Sequence, residues 1–166
     1  ASALRMSMPI NVRTEATENV AGNQFAPARF PVPLTVVDPV HRMKVMRALV
    51  LRARAAPALA QTEPQAGVLN RLHPDMTTGI FGSMLRGVDF VTSNVPGPPF
   101  PIYLSGARVI SQFPFGPLAA AAANVTLLSY MDDLNIGFNT DPAAVPDPEV
   151  LMECMQEGFD EILKCG

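Results

Sequence analysis

A cluster of prolines around one glycine, PGPPFP at residues 96–101, limits how this chain can fold more than any other feature. Proline fixes φ at about −65° and has no backbone N–H, so this stretch cannot be the middle of a sheet. Strand-like residues precede it, and they resume at Ile102. Pro96 followed by Gly97 predicts a type II turn in which Gly97 has a positive φ. The stretch is therefore either an ordinary connection between two strands or a stiff, shaped site.

Apolar and polar residues alternate along several other segments, which is typical of half-buried strands. The predicted strands are Leu4–Val12, Gln24–Val32, Val88–Ser93, a long strand or bent ribbon from Tyr103 toward Phe113, and a hairpin of Asn124–Tyr130 with Leu134–Asn139. Gly106 is predicted to be a bulge in the ribbon. An apolar loop with two aromatic rings, residues 113–117, is expected after it.

Two aspartate-proline pairs mark the starts of helices, because the carboxylate can accept an early backbone N–H and proline at the first helical position loses no bond. Asp38 predicts a helix that continues to about Ala56, and Asp147 predicts an amphipathic helix that ends at Gly166. Residues 63–86 are predicted to form two short helices. Together these patterns predict one α+β domain over residues 1–166, with a mixed or antiparallel sheet covered by helices.

Composition excludes several classes of function. The net charge is −3 and no long run of Lys or Arg occurs, so nucleic acid is not an expected partner. His41 and His73 lie far apart, and a metal site is not predicted. Cys154 and Cys165 fall eleven positions apart on one predicted helix, a rise of about 16 Å that no disulfide can bridge. No apolar run approaches the roughly 20 residues needed to cross a bilayer, and no signal peptide is evident, which predicts a cytoplasmic protein.

Several motifs carry a resemblance to a known family. SNVPGP at 93–98 is followed by IYLSGA at 102–107 and SYMDDLNIGF at 129–138. With SMPINVR, GNQ, DPVHRM and PDPEVL elsewhere, these motifs resemble the C-terminal domain of the bacterial wax ester synthase/diacylglycerol acyltransferase family. That family is similar to the two-lobed, CoA-dependent acyltransferases with a chloramphenicol-acetyltransferase-like fold. The family's catalytic HHxxxDG motif belongs to its N-terminal lobe and does not occur in this sequence.

The resemblance implies transfer of a fatty acyl group from acyl-CoA to diacylglycerol or to a long-chain alcohol, giving triacylglycerol or a wax ester. It implies that acyl-CoA is a co-substrate, that no other cofactor is needed, and that the N-terminal lobe supplies the base, so this chain alone is inactive. Ser93 and Asn94 become candidate oxyanion donors. The residues expected to contact substrate are Gly22, Asn23, Thr92, Ser93, Asn94 and Tyr103. The expected partners are the N-terminal lobe, both substrates, and a membrane or lipid-droplet surface to which the protein could bind peripherally.

The same residues also allow other interpretations. Asn94 could cap the turn by bonding the backbone after Pro96, and Gly22 with Asn23 could be a simple turn. The whole chain could be a non-catalytic module, because a lobe without its partner exposes an apolar face that binds proteins or lipid. A catalytic histidine motif in the upstream coding sequence would favour the enzyme.

Overall fold

The computed structural model describes residues 2–13, 25–56, 87–118 and 120–165. The strands in these ranges are β1 Ala3–Asn11, β2 Phe25–Pro33, β3 Phe90–Val95, β4 Tyr103–Leu104, β5 Ala107–Arg108, β6 Ala123–Tyr130 and β7 Asp133–Thr140; the helices are α1 Pro39–Arg54 and α2 Pro148–Leu163. The helices predicted over residues 63–86, the candidate site residues Gly22 and Asn23, and the helix end predicted at Gly166 lie outside the described residues.

Five strands form one sheet in the order β2-β1-β3-β6-β7. The central pairs, β1 with β3 and β3 with β6, are parallel, whereas β2 and β7 are antiparallel to their neighbours. Parallel strands need long connections, and antiparallel ones can be joined by short turns. The mixed sheet and the two helices of the described ranges confirm the predicted α+β class.

Two apolar positions of the alternation in β1 are buried in the sheet. Met6 and Ile10 are buried, and they pair with Phe30 and Ala26 of β2. Pro9 follows the last residues of β1 that pair with β3, so its missing N–H interrupts no bond to that strand. The strand can therefore contain Pro9 although it is an interior strand of the sheet.

The predicted helix starts are confirmed at both aspartate-proline pairs, with one difference. The Asp38 carboxylate accepts the His41 backbone N–H at 2.6 Å, so α1 is capped as predicted. Asp147 precedes α2 but its side chain makes no capping bond. Arg42 of α1 donates to Glu161 of α2 at 2.7 Å, which joins the two helices at the surface.

The second half of the chain contains two hairpins, β4–β5 and β6–β7, and each has a tight turn. Strands β6 and β7 are joined through Met131, at φ 53°, and Asp132, which confirms the predicted hairpin. The long ribbon predicted from Tyr103 is wrong. Ser105 and Gly106, at φ 49° and 87°, make a tight turn between the two-residue strands β4 and β5. Consecutive positive φ angles fold the chain back on itself, so Gly106 is a turn residue and not a bulge.

An ion pair holds the beginning of the parallel pair β1 and β3 together. Arg5 donates to both carboxylate oxygens of Asp89 through its guanidinium, at 2.7 and 3.2 Å. Its backbone N–H donates to the same carboxylate at 2.7 Å, and its carbonyl accepts the Asp89 N–H at 2.8 Å. These side-chain and backbone hydrogen bonds hold the pKa of Asp89 below its usual range.

This ion pair predicts a pH-dependent effect of Asp89→Asn. A depressed pKa contributes stability at pH values above the unfolded pKa, and that stability is lost as the pH falls through the folded pKa. We expect Asp89→Asn to lower the thermal midpoint at pH 7. The gap in thermal midpoint between this variant and wild type should narrow as the pH falls toward 3. Thermal unfolding followed by circular dichroism at several pH values measures this gap. Asp132→Asn, which makes the same charge change on the exposed β6–β7 turn, is the control; a gap for Asp89→Asn that stays constant with pH would contradict the assignment.

Candidate functional site

The pairing of β1 with β3 stops short of the carboxyl ends of the two strands, and we call the unpaired stretch beyond it the opening. Their register contains only Met6 with Phe90 and Ser7 with Val91. Beyond these pairs β1 continues against β2 alone, and residues 92–95 of β3 continue against β6 alone. Ligands of open sheets bind in crevices at the carboxyl ends of parallel strands, where neighbouring strands or their connections separate. This opening is therefore the candidate functional site.

The three candidate residues of β3 do not all lie on one side of the sheet. Thr92 pairs with Val125 and Asn94 with Leu127, whereas Ser93 pairs with Thr126. Since successive side chains of a strand alternate between faces, Thr92 and Asn94 share one face and Ser93 lies on the other. Thr92 and Ser93 are half-buried, and Asn94 is exposed.

Asn94 presents an unpaired amide at the opening. In the part of the chain that the structure describes, no hydrogen bond involves its side chain, so the expected alternative that Asn94 caps the following turn is wrong. The Gly97 backbone N–H donates instead to the Ser129 hydroxyl at 3.0 Å. An exposed primary amide keeps two donors and one acceptor free for a ligand.

Gly97 is required for close packing and not for a positive φ. The glycines with positive φ among the described residues are Gly87 and Gly106, so the predicted type II turn at Pro96-Gly97 is wrong. A Cβ at Gly97 would overlap the carbonyl oxygen of Ser129 in β6. The glycine thus lets the proline-rich segment lie directly against the end of β6, which fixes where the chain goes after Asn94.

Tyr130 anchors both sides of the β4–β5 hairpin. Its side chain is almost completely buried. The hydroxyl accepts the Ile102 N–H at 3.2 Å and donates to the Val109 carbonyl at 2.9 Å. The candidate residue Tyr103 lies on this hairpin and is exposed, and none of the described hydrogen bonds joins it to the residues of β3.

A buried polar cluster holds the apolar loop against the sheet, and the sequence did not reveal it. Asn124 donates to the Pro117 carbonyl at 2.8 Å and Asn139 donates to the Gly116 carbonyl at 2.6 Å. The Thr126 hydroxyl donates to the Asn124 side-chain oxygen at 2.7 Å. The sequence signal was the occurrence of polar residues at alternate positions of an otherwise apolar strand. These bonds hold Gly116 and Pro117 on the face that Ser93 shares.

Neither a metal ion nor a disulfide can be assigned to this site from the described residues. No group of three or more His, Cys, Asp or Glu side chains in the described ranges could hold a metal ion. Cys154 and Cys165 are both free, as their spacing predicted, and both are exposed. None of the described helices is long and apolar enough to cross a bilayer.

Comparison with known proteins assigns the chain to a family. The model of the WS/DGAT C-terminal domain, named for wax ester synthase and diacylglycerol acyltransferase, matches residues 21–163. The chain belongs to this family, and the resemblance seen in its motifs is confirmed.

Two curated relatives come from Mycobacterium tuberculosis. A putative diacylglycerol O-acyltransferase is 38% identical over 162 residues, which cover 98% of this chain and 33% of the relative. A probable diacylglycerol O-acyltransferase is 29% identical over 166 residues, covering 97% of this chain and 36% of the relative. The chain thus spans about a third of the length of these relatives.

A solved structure shows the same fold. The wax ester synthase/diacylglycerol acyltransferase from Marinobacter aquaeolei matches with a TM-score of 0.58 and 22% sequence identity. The match covers 96% of this chain and 36% of that one. The mixed sheet and its helices therefore have the architecture of one part of a larger acyltransferase structure.

Proposed function

We propose that this chain is the C-terminal lobe of an acyl-CoA-dependent O-acyltransferase, in which Asn94 faces the acyl-transfer site. Membership of the family supports the class of reaction. The observation that carries the site is the unpaired, exposed amide of Asn94 beyond the last residue pair of β1 and β3. The substrates are acyl-CoA and either diacylglycerol or a long-chain alcohol, and acyl-CoA is consumed as a co-substrate.

The reaction determines what each lobe must provide. The acceptor hydroxyl attacks the thioester carbonyl carbon, and a general base removes its proton, because a hydroxyl is a weak nucleophile near neutral pH. The carbonyl oxygen becomes an oxyanion until the carbon–sulfur bond breaks and the CoA thiolate leaves. In this proposal the N-terminal lobe supplies the base and Asn94 donates an N–H to the oxyanion. Ser93 is the other candidate donor.

Apolar residues beside the opening fit a fatty acyl chain. Met8 and Ile10 continue β1 past its last pair with β3 and lie on the same face as Thr92 and Asn94; Ile10 is buried, so Met8 is the one that can contact a ligand. Met8 is half-buried, and an unbranched thioether adapts to flexible apolar ligands. Thr92 contributes to the same wall, and the roles of Tyr103, Gly22 and Asn23 in substrate binding stay predictions of the family resemblance. Peripheral association with a membrane or lipid droplet would give such an enzyme access to its acceptor.

A non-catalytic binding module is the second candidate function. Exposed aromatic side chains such as Phe113 and Phe115 favour it, because large exposed apolar patches mark interaction surfaces. The two functions differ in whether a full-length protein turns over acyl-CoA, which an assay can decide.

We expect a full-length protein to release CoA thiol from a long-chain acyl-CoA when diacylglycerol or hexadecanol is present, and residues 1–166 alone to release none. Within the described residues no histidine side chain is paired with a carboxylate, and the uncatalysed hydroxyl attack is slow. Thiol release and the lipid product are measured together, with heat-treated protein as the control and circular dichroism to check folding. Turnover by the isolated chain would contradict the assignment of the base to the other lobe, and an inactive full-length protein would favour the binding module.

A further inference from the structure

Six large apolar side chains are exposed along one short stretch of the chain. We call this surface the apolar ridge: Phe100, Tyr103, Leu104, Ile110, Phe113 and Phe115, each between 60% and 79% exposed. Pairing of β4 with β5, and a hydrogen bond of 3.0 Å from the Val109 N–H to the Ile102 carbonyl, bring the two halves of the stretch side by side.

Contacts with the sheet hold the backbone on either side of Phe115. Half-buried Pro114 and Gly116 alternate with exposed Phe113 and Phe115. The Pro114 carbonyl lies where a Cβ of Gly137 would be, and Asn139 binds the Gly116 carbonyl. These contacts seat the alternate residues on the sheet, and the aromatic rings between them project away from it. The end of the ridge formed by Phe113 and Phe115 is therefore a preformed surface.

Charge is almost absent from this part of the sequence. Residues 90–131 contain one charged residue, Arg108, although 16% of the whole chain is charged. The Arg108 guanidinium lies 3.9 Å from the Met131 sulfur, and two carboxylates, Asp132 and Asp133, follow directly in the chain. Segments that bind anionic bilayers carry several Lys or Arg. One cation beside two carboxylates therefore disfavours a bilayer and fits the charge-depleted, aromatic centre of a protein interface.

We propose that the apolar ridge is the surface on which the remaining part of a full-length protein docks, so that an apolar surface of the same polypeptide covers Phe113 and Phe115. This inference rests on the proposed two-lobed enzyme. The relatives are about three times as long as this chain, which leaves a protein surface large enough to cover the ridge. Because the ridge begins three residues after Gly97, docking there would also fix the end of β3 that carries Asn94.

Site-specific photocrosslinking in the full-length protein tests the docking directly. p-Benzoylphenylalanine replaces Phe115, and in a matched control it replaces Leu163, which is 77% exposed on α2 compared with 79% for Phe115. We expect the probe at 115 to link to a peptide outside residues 1–166, and the probe at 163 to give at least tenfold less of such a product. The readout needs no substrate, so it succeeds or fails independently of acyl transfer.

Every other product overturns the proposal. A link within residues 1–166 would mean that the chain covers its own ridge. A link to a second copy, visible as a covalent dimer, would mean self-association. A link to phosphatidylcholine in added vesicles would mean lipid binding, and the absence of any link would mean that the ridge faces solvent.

Charge substitution gives a second, independent measurement. Phe113→Asp combined with Phe115→Asp should lower the thermal midpoint of the full-length protein by at least about 4 °C, because docking would bury both carboxylates. Val150→Asp combined with Leu163→Asp makes the same change at exposed positions of α2 and should shift it by less than about 1 °C. Equal shifts for the two pairs would overturn the proposal.

Discussion

Replacing Asn94 by alanine in a full-length enzyme should reduce turnover roughly a hundredfold while leaving the protein folded. Loss of one oxyanion donor costs on the order of 3 kcal/mol of transition-state stabilisation. The Asn94 side chain is exposed and makes no hydrogen bond within the described residues, so its removal should change the thermal midpoint little. Turnover and thermal midpoint are measured on the same preparations.

Further variants separate hydrogen-bond donation from other effects. Asn94→Asp keeps the size of the side chain but replaces the amide donor with a negative charge, so it should be at least as slow as Asn94→Ala. Gln156→Ala removes an exposed amide from α2 and should leave turnover unchanged. Ser93→Ala tests the donor on the opposite face. If both Asn94→Ala and Ser93→Ala kept normal turnover, neither residue would be an oxyanion donor and the end of β3 would be scaffold.

Gly137→Ala should destabilise the protein by about 3 kcal/mol, which lowers the thermal midpoint of a unit of this size by roughly 6–12 °C. A methyl group there would overlap the Pro114 carbonyl, so residues 109–118 would have to move away from the sheet. That movement would also break the 2.6 Å bond from Asn139 to the Gly116 carbonyl. Thermal unfolding of wild type and variant measures the shift.

Gly158 provides the matched control for this substitution. It lies in α2, and no atom outside its own turn of helix is within 4 Å of an added Cβ. Gly158→Ala should therefore stabilise the protein by about 0.5–1 kcal/mol, since alanine favours the helix. An unchanged midpoint for Gly137→Ala would mean that the loop is not seated on β7 as described.

Local chemistry explains which elements could be predicted from the sequence. Alternation predicted β1, the aspartate at 38 predicted the start of α1, and the two strands around Met131 predicted the β6–β7 hairpin. Each of these signals lies within a few residues of the element that it determines. The motif SNVPGP also indicated a candidate site at the end of β3, and the family that it suggested is confirmed.

Contacts between distant segments explain what could not be predicted. Gly97 looked like a turn residue, but the close approach of Ser129, 32 positions away, determines its role. Asn124 and Asn139 are a second example. Their side-chain amides donate to the carbonyls of Pro117 and Gly116, and no periodicity in the sequence predicts that this loop lies against them. The parallel order of the central strands, and therefore the opening beside Asn94, depends on pairings that a single sequence does not encode locally.

The meeting of β1 with β3 also has a consequence for the order of folding. Arg5 and Asp89 are 84 positions apart, whereas two residues join β6 to β7. Each doubling of the length of a closed loop costs about 0.6 kcal/mol of chain entropy. Closing the loop between β1 and β3 therefore costs about 3 kcal/mol more than closing the β6–β7 hairpin. Contacts of such long range form slowly. A nascent chain that has emerged only as far as β2 therefore carries a two-stranded ribbon whose inner edge is still unpaired, and such an edge readily pairs with another chain.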